Sequence, residues 1–125
     1  MSGLAPPSKI ESVSAIVRFA VPGFHRWPDA RGIRAYLAQR HRHLFHVEVT
    51  ISLVHNERDM EFHDLLDFCE NAFPGGDMGN DSCETMATKL AEHITSEFHR
   101  SVSVSVFEDG EVGATVRMRC DDGTS

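Results

Sequence analysis

The chain has 125 residues, 41% hydrophobic and 25% charged, with a net charge of −7, which suits one domain around one core and argues against general attraction to nucleic acid. No apolar run reaches the roughly 20 residues of a membrane span, and the three cysteines, Cys69, Cys83 and Cys120, are too few and too scattered for a disulfide framework. Residues 1–9 hold Pro6-Pro7 and lack the apolar stretch of a secretory signal, so a cytoplasmic location is expected.

Residues 1–9 read as a frayed tail. Val13, Ala15, Val17, Phe19 and Val21 then alternate with Ser12, Ser14, Ile16, Arg18 and Ala20, the period-two pattern of a half-buried strand. Pro22-Gly23 is expected to end it. After Phe24-His25-Arg26-Trp27-Pro28, Asp29 is a candidate cap for a short helix over residues 30–39, with Ile33, Tyr36 and Leu37 as its apolar side. A second strand follows, with Phe45, Val47, Val49, Ile51 and Leu53 on one face and His46, Glu48, Thr50 and Ser52 on the other. Residues 55–59 form a turn. Phe62, Leu65, Leu66, Cys69 and Phe73 make one helical stripe, stopped by Pro74-Gly75-Gly76. Asp81 or Ser82 caps a second helix, whose stripe is Cys83, Met86, Ala87, Leu90, Ala91, Ile94 and Phe98. Val102, Val104 and Val106 mark a third strand, Asp109-Gly110 a hairpin turn, and Val112, Ala114, Val116, Met118 and Cys120 a fourth. Residues 121–125 read as a second tail.

This order predicts a single α+β domain over residues 1–125: a four-stranded antiparallel sheet, β-β-α-α-β-β, with two helices on one face. His41 and His43 share parity with Phe45 and Val47. If the strand reaches back that far, both imidazoles point the same way at the mouth of the core. Such a pair can share a metal ion, although an isolated His-x-His is more often two solvated histidines. If the first two strands pair as a hairpin, His25 joins them at the same end of the sheet. Three histidines with an open fourth position are catalytic zinc geometry. Between Pro22 and His46 lie five arginines (26, 31, 34, 40 and 42) against Asp29, a net of +4 that leaves −11 for the remainder. Such a segment either binds a small anion such as phosphate or is a solvated loop.

From about Val13 to Val116 the chain resembles the 6-pyruvoyltetrahydropterin synthase / 6-carboxytetrahydropterin synthase family, built on the tunnelling fold. Phe24-His25-Arg26 is similar to the family's histidine after its first strand. His41-Arg42-His43-Leu44-Phe45-His46-Val47-Glu48-Val49 is similar to its His-Gly-His leading into an aromatic and a valine-rich strand. Glu61-Phe62-His63-Asp64-Leu65 resembles the opening of its first helix, Asp81-Ser82-Cys83-Glu84 that of its second, and Val104-Ser105-Val106-Phe107-Glu108 the strand ending in a pterin-holding glutamate. The resemblance implies zinc held by His25, His41 and His43, and a pterin bound by Glu108 with Ser82 and Glu84 nearby. It implies a lyase acting on 7,8-dihydroneopterin triphosphate or a relative and yielding a 6-carboxy- or 6-pyruvoyl-tetrahydropterin for pterin or deazapurine synthesis. It also implies a homo-oligomer, trimeric or hexameric, with neither nucleic acid nor membrane as partner.

The chain departs from the family where acid–base chemistry is expected. Leu37 stands in the slot of the catalytic cysteine, Arg42 replaces the glycine, and the Asp-His dyad between the helices has no clear match: Asp77 is the only ionisable residue from Phe73 to Asn80. Cys83, in the first turn of the second helix where the dipole lowers a thiol pKa, and Asp77 are the candidate replacements. Cys83 also fits the apolar stripe as a packing residue, as do Cys69 and Cys120. His46 and His63 are further candidate proton shuttles. Loss of the cysteine leaves a second reading, a pterin- or purine-binding protein that keeps the zinc site without turnover.

Overall fold

The structure is a computed structural model that describes residues 6–73 and 75–120. Of the tails expected at 1–9 and 121–125, residues 1–5 and 121–125 lie outside the described residues, as does Pro74 of the expected helix stop, while residues 6–9 are exposed and without regular structure. The elements run β1 (Ser14–His25), a 3-10 helix (Gly32–Ala38), β2 (His41–Ser52), α1 (Phe62–Ala72), β3 (Gly76–Asp77), α2 (Cys83–Phe98), β4 (Val102–Glu108) and β5 (Val112–Met118). The fold is α+β. Among the described residues no helix is long and apolar enough to cross a membrane.

The strands lie in the order β3-β1-β2-β4-β5. The β1/β2, β2/β4 and β4/β5 pairs are antiparallel. The expected sheet of four antiparallel strands is corrected by β3, whose two residues run parallel to β1, Gly76 beside Gly23 and Asp77 beside Phe24. The return from α1 passes along the free side of β1, and Gly76 makes the bend at φ +84°, a conformation that glycine adopts without a Cβ penalty. The far side of β1 over residues 14–21 and the outer side of β5 carry no strand among the described residues.

Alternation decides which face is buried. Ala15 and Val17 of β1, Phe45, Val47, Val49 and Ile51 of β2, and Val102, Val104 and Val106 of β4 are all buried. They form one cluster with Leu65, Cys69 and Phe73 from the α1 end and with the expected α2 stripe from Cys83 to Ile94. Both helices therefore cover the same face. Burying a side chain such as Leu65, Leu90 or Ile94 contributes about 1.5–3 kcal/mol. Ser82 is the cap of α2, its Oγ accepting the Thr85 N–H at 3.1 Å. Phe62, expected in the α1 stripe, is 57% exposed, because it opens the helix ahead of the covered turn.

Two local expectations are corrected. Residues 32–38 form a 3-10 helix that buries nothing, its cap is Arg31 without a side-chain bond, and Asp29 does not cap it. Ile33 and Tyr36 are 85% and 60% exposed. Gly32 at φ +64° breaks the α-helical path, and a seven-residue segment with no surface to pack on lacks the burial that sustains most helices. Nor does Pro22-Gly23 end β1. The Pro22 carbonyl faces Gly75, and the Phe24 carbonyl of the same parity accepts from Met78 N–H. The donor that proline lacks would thus point away from β2, and the β1/β2 ladder continues to His25 opposite His41.

Candidate metal centre

Register brings the site together. His25 pairs with His41, Gly23 with His43, and Phe45 with Glu108. All these positions belong to the inward-facing set, so three imidazoles and one carboxylate meet just beyond the last core residues. Phe45, fully buried, is the floor, its ring centroid 5.2 Å from that of His25 and 5.6 Å from that of His43. The imidazole centroids are 4.6 to 5.2 Å apart. Gly23 lets Met78 and the Phe45 ring pack against the strand: a Cβ there would come within 2.9 Å of Met78 Cε and 3.1 Å of the Phe45 ring.

Each histidine is oriented through Nδ1. His25 Nδ1 is 2.8 Å from the Asp81 carbonyl, and His41 Nδ1 is 2.9 Å from the Gln39 carbonyl. His43 Nδ1 is 2.7 Å from Asp109 Oδ2. These partners are acceptors, so Nδ1 carries the proton and donates, and in the neutral ring Nε2 presents its lone pair. Nε2 of His25 and of His43 are buried and make no hydrogen bond. They lie instead 2.9 and 3.5 Å from Glu108 Oε2. Lone pairs facing a carboxylate repel one another unless a cation stands between them. One ligand atom from each of His25, His41, His43 and Glu108 lies within 4.8 Å of all the others. An ion bound tetrahedrally by imidazole at about 2.0–2.1 Å holds its ligands roughly 3.4 Å apart, and the two Glu108 distances bracket that spacing. The cluster could hold a metal ion.

Asp109 supports this arrangement from outside. It has φ +56° and is followed by Gly110 at +74°, the left-handed pair of a hairpin turn. Its Oδ1 accepts the Leu44 N–H at 2.9 Å while Oδ2 takes the His43 proton. The Leu44 amide, then the His43 bond, hold the Asp109 carboxyl below the usual carboxylate range. A carboxylate behind a ligating imidazole fixes its tautomer and raises its basicity.

The other expected site residues are not members of the cluster. Cys83 is buried in the core, and its thiol is pushed up to about 12 by burial and by the negative charges of Glu108 and Glu84. This is opposite to the lowered pKa expected from the helix start, because a dipole of half a charge does not offset desolvation beside two carboxylates. Asp77 is outside the cluster; its Oδ1 accepts Gly79 N–H and its Oδ2 is 3.6 Å from Arg40 Nε. Ser82 and Glu84 are exposed at the start of α2, where Ser82 acts as the cap. His46 is on the outward-facing set of β2, and the His63 side chain is 86% exposed beside Glu61. Leu37 lies on the 3-10 segment, its carbonyl accepting the Trp27 N–H.

In comparison with known proteins, no family model and no curated protein matches the chain. Sequence reasoning named all three histidines and also Glu108, though as a pterin anchor and not as the fourth member of the cluster. It passed over Asp109. The available signal was parity: Glu108 continues the Val102, Val104, Val106 set, and the turn after it folds back over Leu44.

Proposed function

We propose that the protein is a zinc-dependent lyase of the 6-pyruvoyltetrahydropterin synthase / 6-carboxytetrahydropterin synthase type. Its substrate would be 7,8-dihydroneopterin triphosphate or a close relative, and its product a 6-carboxy- or 6-pyruvoyl-tetrahydropterin. The observation that carries this reading is the meeting of one nitrogen from each of three imidazoles and one carboxylate at the inner end of the sheet. Four antiparallel strands under two helices agree with one subunit of a tunnelling fold, and the sides of β1 over residues 14–21 and of β5 that carry no strand among the described residues favour a homo-oligomer, trimeric or hexameric, since open edges tend to be paired or covered.

Imidazole suits zinc among the common ions, and such an ion, when bound, makes protons next to a substrate oxygen more acidic. His25, His41 and His43 would hold it. Glu108 is the carboxylate within the cluster and has two possible roles: to take a proton, or to accept paired N–H bonds from an aminopyrimidine edge. Phe45 shields one side of the cluster from water, and Asp109 keeps His43 in its working tautomer.

A second reading, a binding protein without turnover, draws support from the acid–base groups. Leu37 has no proton to give, the Cys83 thiol is pushed up to about 12, and Asp77 is engaged with Arg40. Incubation of purified, zinc-loaded protein with the triphosphate, followed by mass spectrometry of the pterin, separates the two. The lyase reading expects a product of altered side chain. Unchanged substrate that nonetheless co-elutes with the protein would establish binding alone.

A further inference from the structure

The basic segment between Pro22 and His46 has five arginines, and the structure divides them. Arg26 and Arg40 line one cavity of about 390 Å³ together with Asp77, Gly79 and Asn80. Arg31 and Arg34 sit on the exposed 3-10 segment, where Arg34 Nη1 donates to Tyr36 Oη at 3.2 Å. Arg42 is on the outward-facing set of β2.

Arg26 and Arg40 are the chain neighbours of His25 and His41, which face each other across the β1/β2 ladder. The two guanidiniums are therefore the next pair outward from the histidine cluster. Each is held by its stem side. Arg26 Nε donates to Asn80 Oδ1 at 3.0 Å, and the Arg26 N–H donates to the Gly79 carbonyl. Arg40 Nε lies 3.6 Å from Asp77 Oδ2, and its guanidinium carbon sits 4.0 Å above the centre of the Phe24 ring. Among the described residues the Nη atoms of both make no hydrogen bond. Two cations in one cavity repel each other, and Asp77 offsets only one of them. Pre-oriented guanidinium forks with free ends suit the tetrahedral, multiply charged oxygens of a phosphoryl group. The segment from Asp77 to Asp81 joins this cavity to the cluster: Asp77, Gly79 and Asn80 line the one, and the Asp81 carbonyl orients His25 in the other.

We propose that Arg26 and Arg40 form a phosphoryl-binding subsite for a small molecule whose other end reaches the histidine cluster. The identity of that molecule rests on the function proposed above; the anion site itself does not. The test is calorimetric titration of the full chain, metal-stripped and zinc-loaded, with sodium tripolyphosphate, and with inorganic phosphate as a second probe. The stripped protein should bind tripolyphosphate, and bind single phosphate more weakly. Arg26→Gln and Arg40→Gln should each lower the affinity roughly tenfold, the scale of a charge-assisted forked contact. Arg31→Gln and Arg34→Gln carry the same change in net charge and should leave it within about twofold, since exposed charges act weakly at a distance. Arg40→Lys should recover only part of the loss, because lysine keeps the charge without the planar fork or the stacking. Melting curves of each variant check folding.

Absence of binding by the stripped wild-type protein, or equal losses in all four glutamine variants, would overturn the subsite. Binding that needs zinc and ignores Arg26 and Arg40 would overturn it too, by assigning the anion to the ion alone. Failure of the metal reading looks different: zinc does not bind, yet His41→Ala and wild type take up tripolyphosphate alike and both depend on the arginines.

Discussion

The two ends of β2 carry charged groups of opposite character. Near Ser52, the Asp59 carboxylate accepts from Arg100 Nη1 at 2.7 Å and Nη2 at 3.1 Å, and from the Val54 N–H at 2.7 Å. The side chains are 7% and 20% exposed, and both Asp59 oxygens accept hydrogen bonds. Near His41 the balance is reversed. Two buried Nε2 atoms lack a hydrogen bond and face a carboxylate. A buried charge is tolerated when it is paired, so the Ser52 end is complete in itself and serves stability. The His41 end could be completed by a metal ion. Which groups remain unmatched, more than how many charges are present, tells the functional end from the structural one.

The largest expected effect weakens the His41 end directly. His25→Ala, His41→Ala or His43→Ala should each lower bound zinc well below about one ion per chain, because each removes one of the four groups that meet there; elemental analysis of purified variants reads this directly. Full zinc retention by any one of them would remove that residue from the site. Glu108→Gln sharpens the contrast. In metal-free protein it should raise the melting temperature, since it removes the carboxylate from two lone pairs, while lowering zinc affinity. A fall in metal-free stability would mean that Glu108 already has a partner that the geometry does not reveal.

At the opposite end, Arg100→Ala should cost about 1.5–3 kcal/mol in denaturant unfolding, the range for hydrogen bonds to a charged group, with zinc content unchanged. The acid profile gives an independent reading. The Arg100 and Val54 bonds lower the Asp59 carboxyl from 3.8 to about 2, so between those values the unfolded chain takes up the proton more readily than the folded one. This contribution is fully present above pH 3.8 and is lost as pH falls through about 2. Asp59→Asn should flatten that part of the stability curve, and an unchanged curve would contradict the pairing.

A smaller change is expected from Asp109→Asn. Asparagine tolerates the left-handed turn and can still accept from Leu44 N–H, but the charge behind His43 is gone. Zinc affinity should drop about 10-fold, the lower end for losing an outer-shell partner, with little change in melting temperature. A competition titration with a chromophoric chelator measures it, and equal affinity in the variant would reduce Asp109 to a turn residue. The smallest effect belongs to Cys83. With its thiol pushed up to about 12, it should alkylate slowly at neutral pH, as should Cys69, also about 12. Rapid labelling of Cys83 alone would revive it as a reactive group.

Much of this architecture is written in local pattern. Period-two alternation marks the inward residues of β1, β2 and β4, and 3.6-residue stripes mark α1 and α2, because burying one face rewards that spacing wherever it occurs. The same parity places His41 and His43 on the core side before any contact is known. Other features have no local signature. The 3-10 segment at 32–38 shows helical spacing but has no surface to pack on. β3 exists only because the chain after α1 passes beside Gly23 and Phe24. The direction of the Cys83 shift depends on burial and on Glu108, 25 positions away in sequence.

The sequence by itself determined the α+β class, the core faces and the shared parity of His41 and His43, since each follows from periodicity within a dozen residues, whereas His25 joins them through the pairing of β1 with β2. Only the tertiary structure decided that Glu108 meets those histidines, that carbonyls of Gln39 and Asp81 and the Asp109 carboxylate take the Nδ1 protons, and that Arg26 and Arg40 share one cavity. Each of these depends on cross-strand register or loop path. Those are set by the packing of the whole sheet under its helices, and no window of neighbouring residues encodes them.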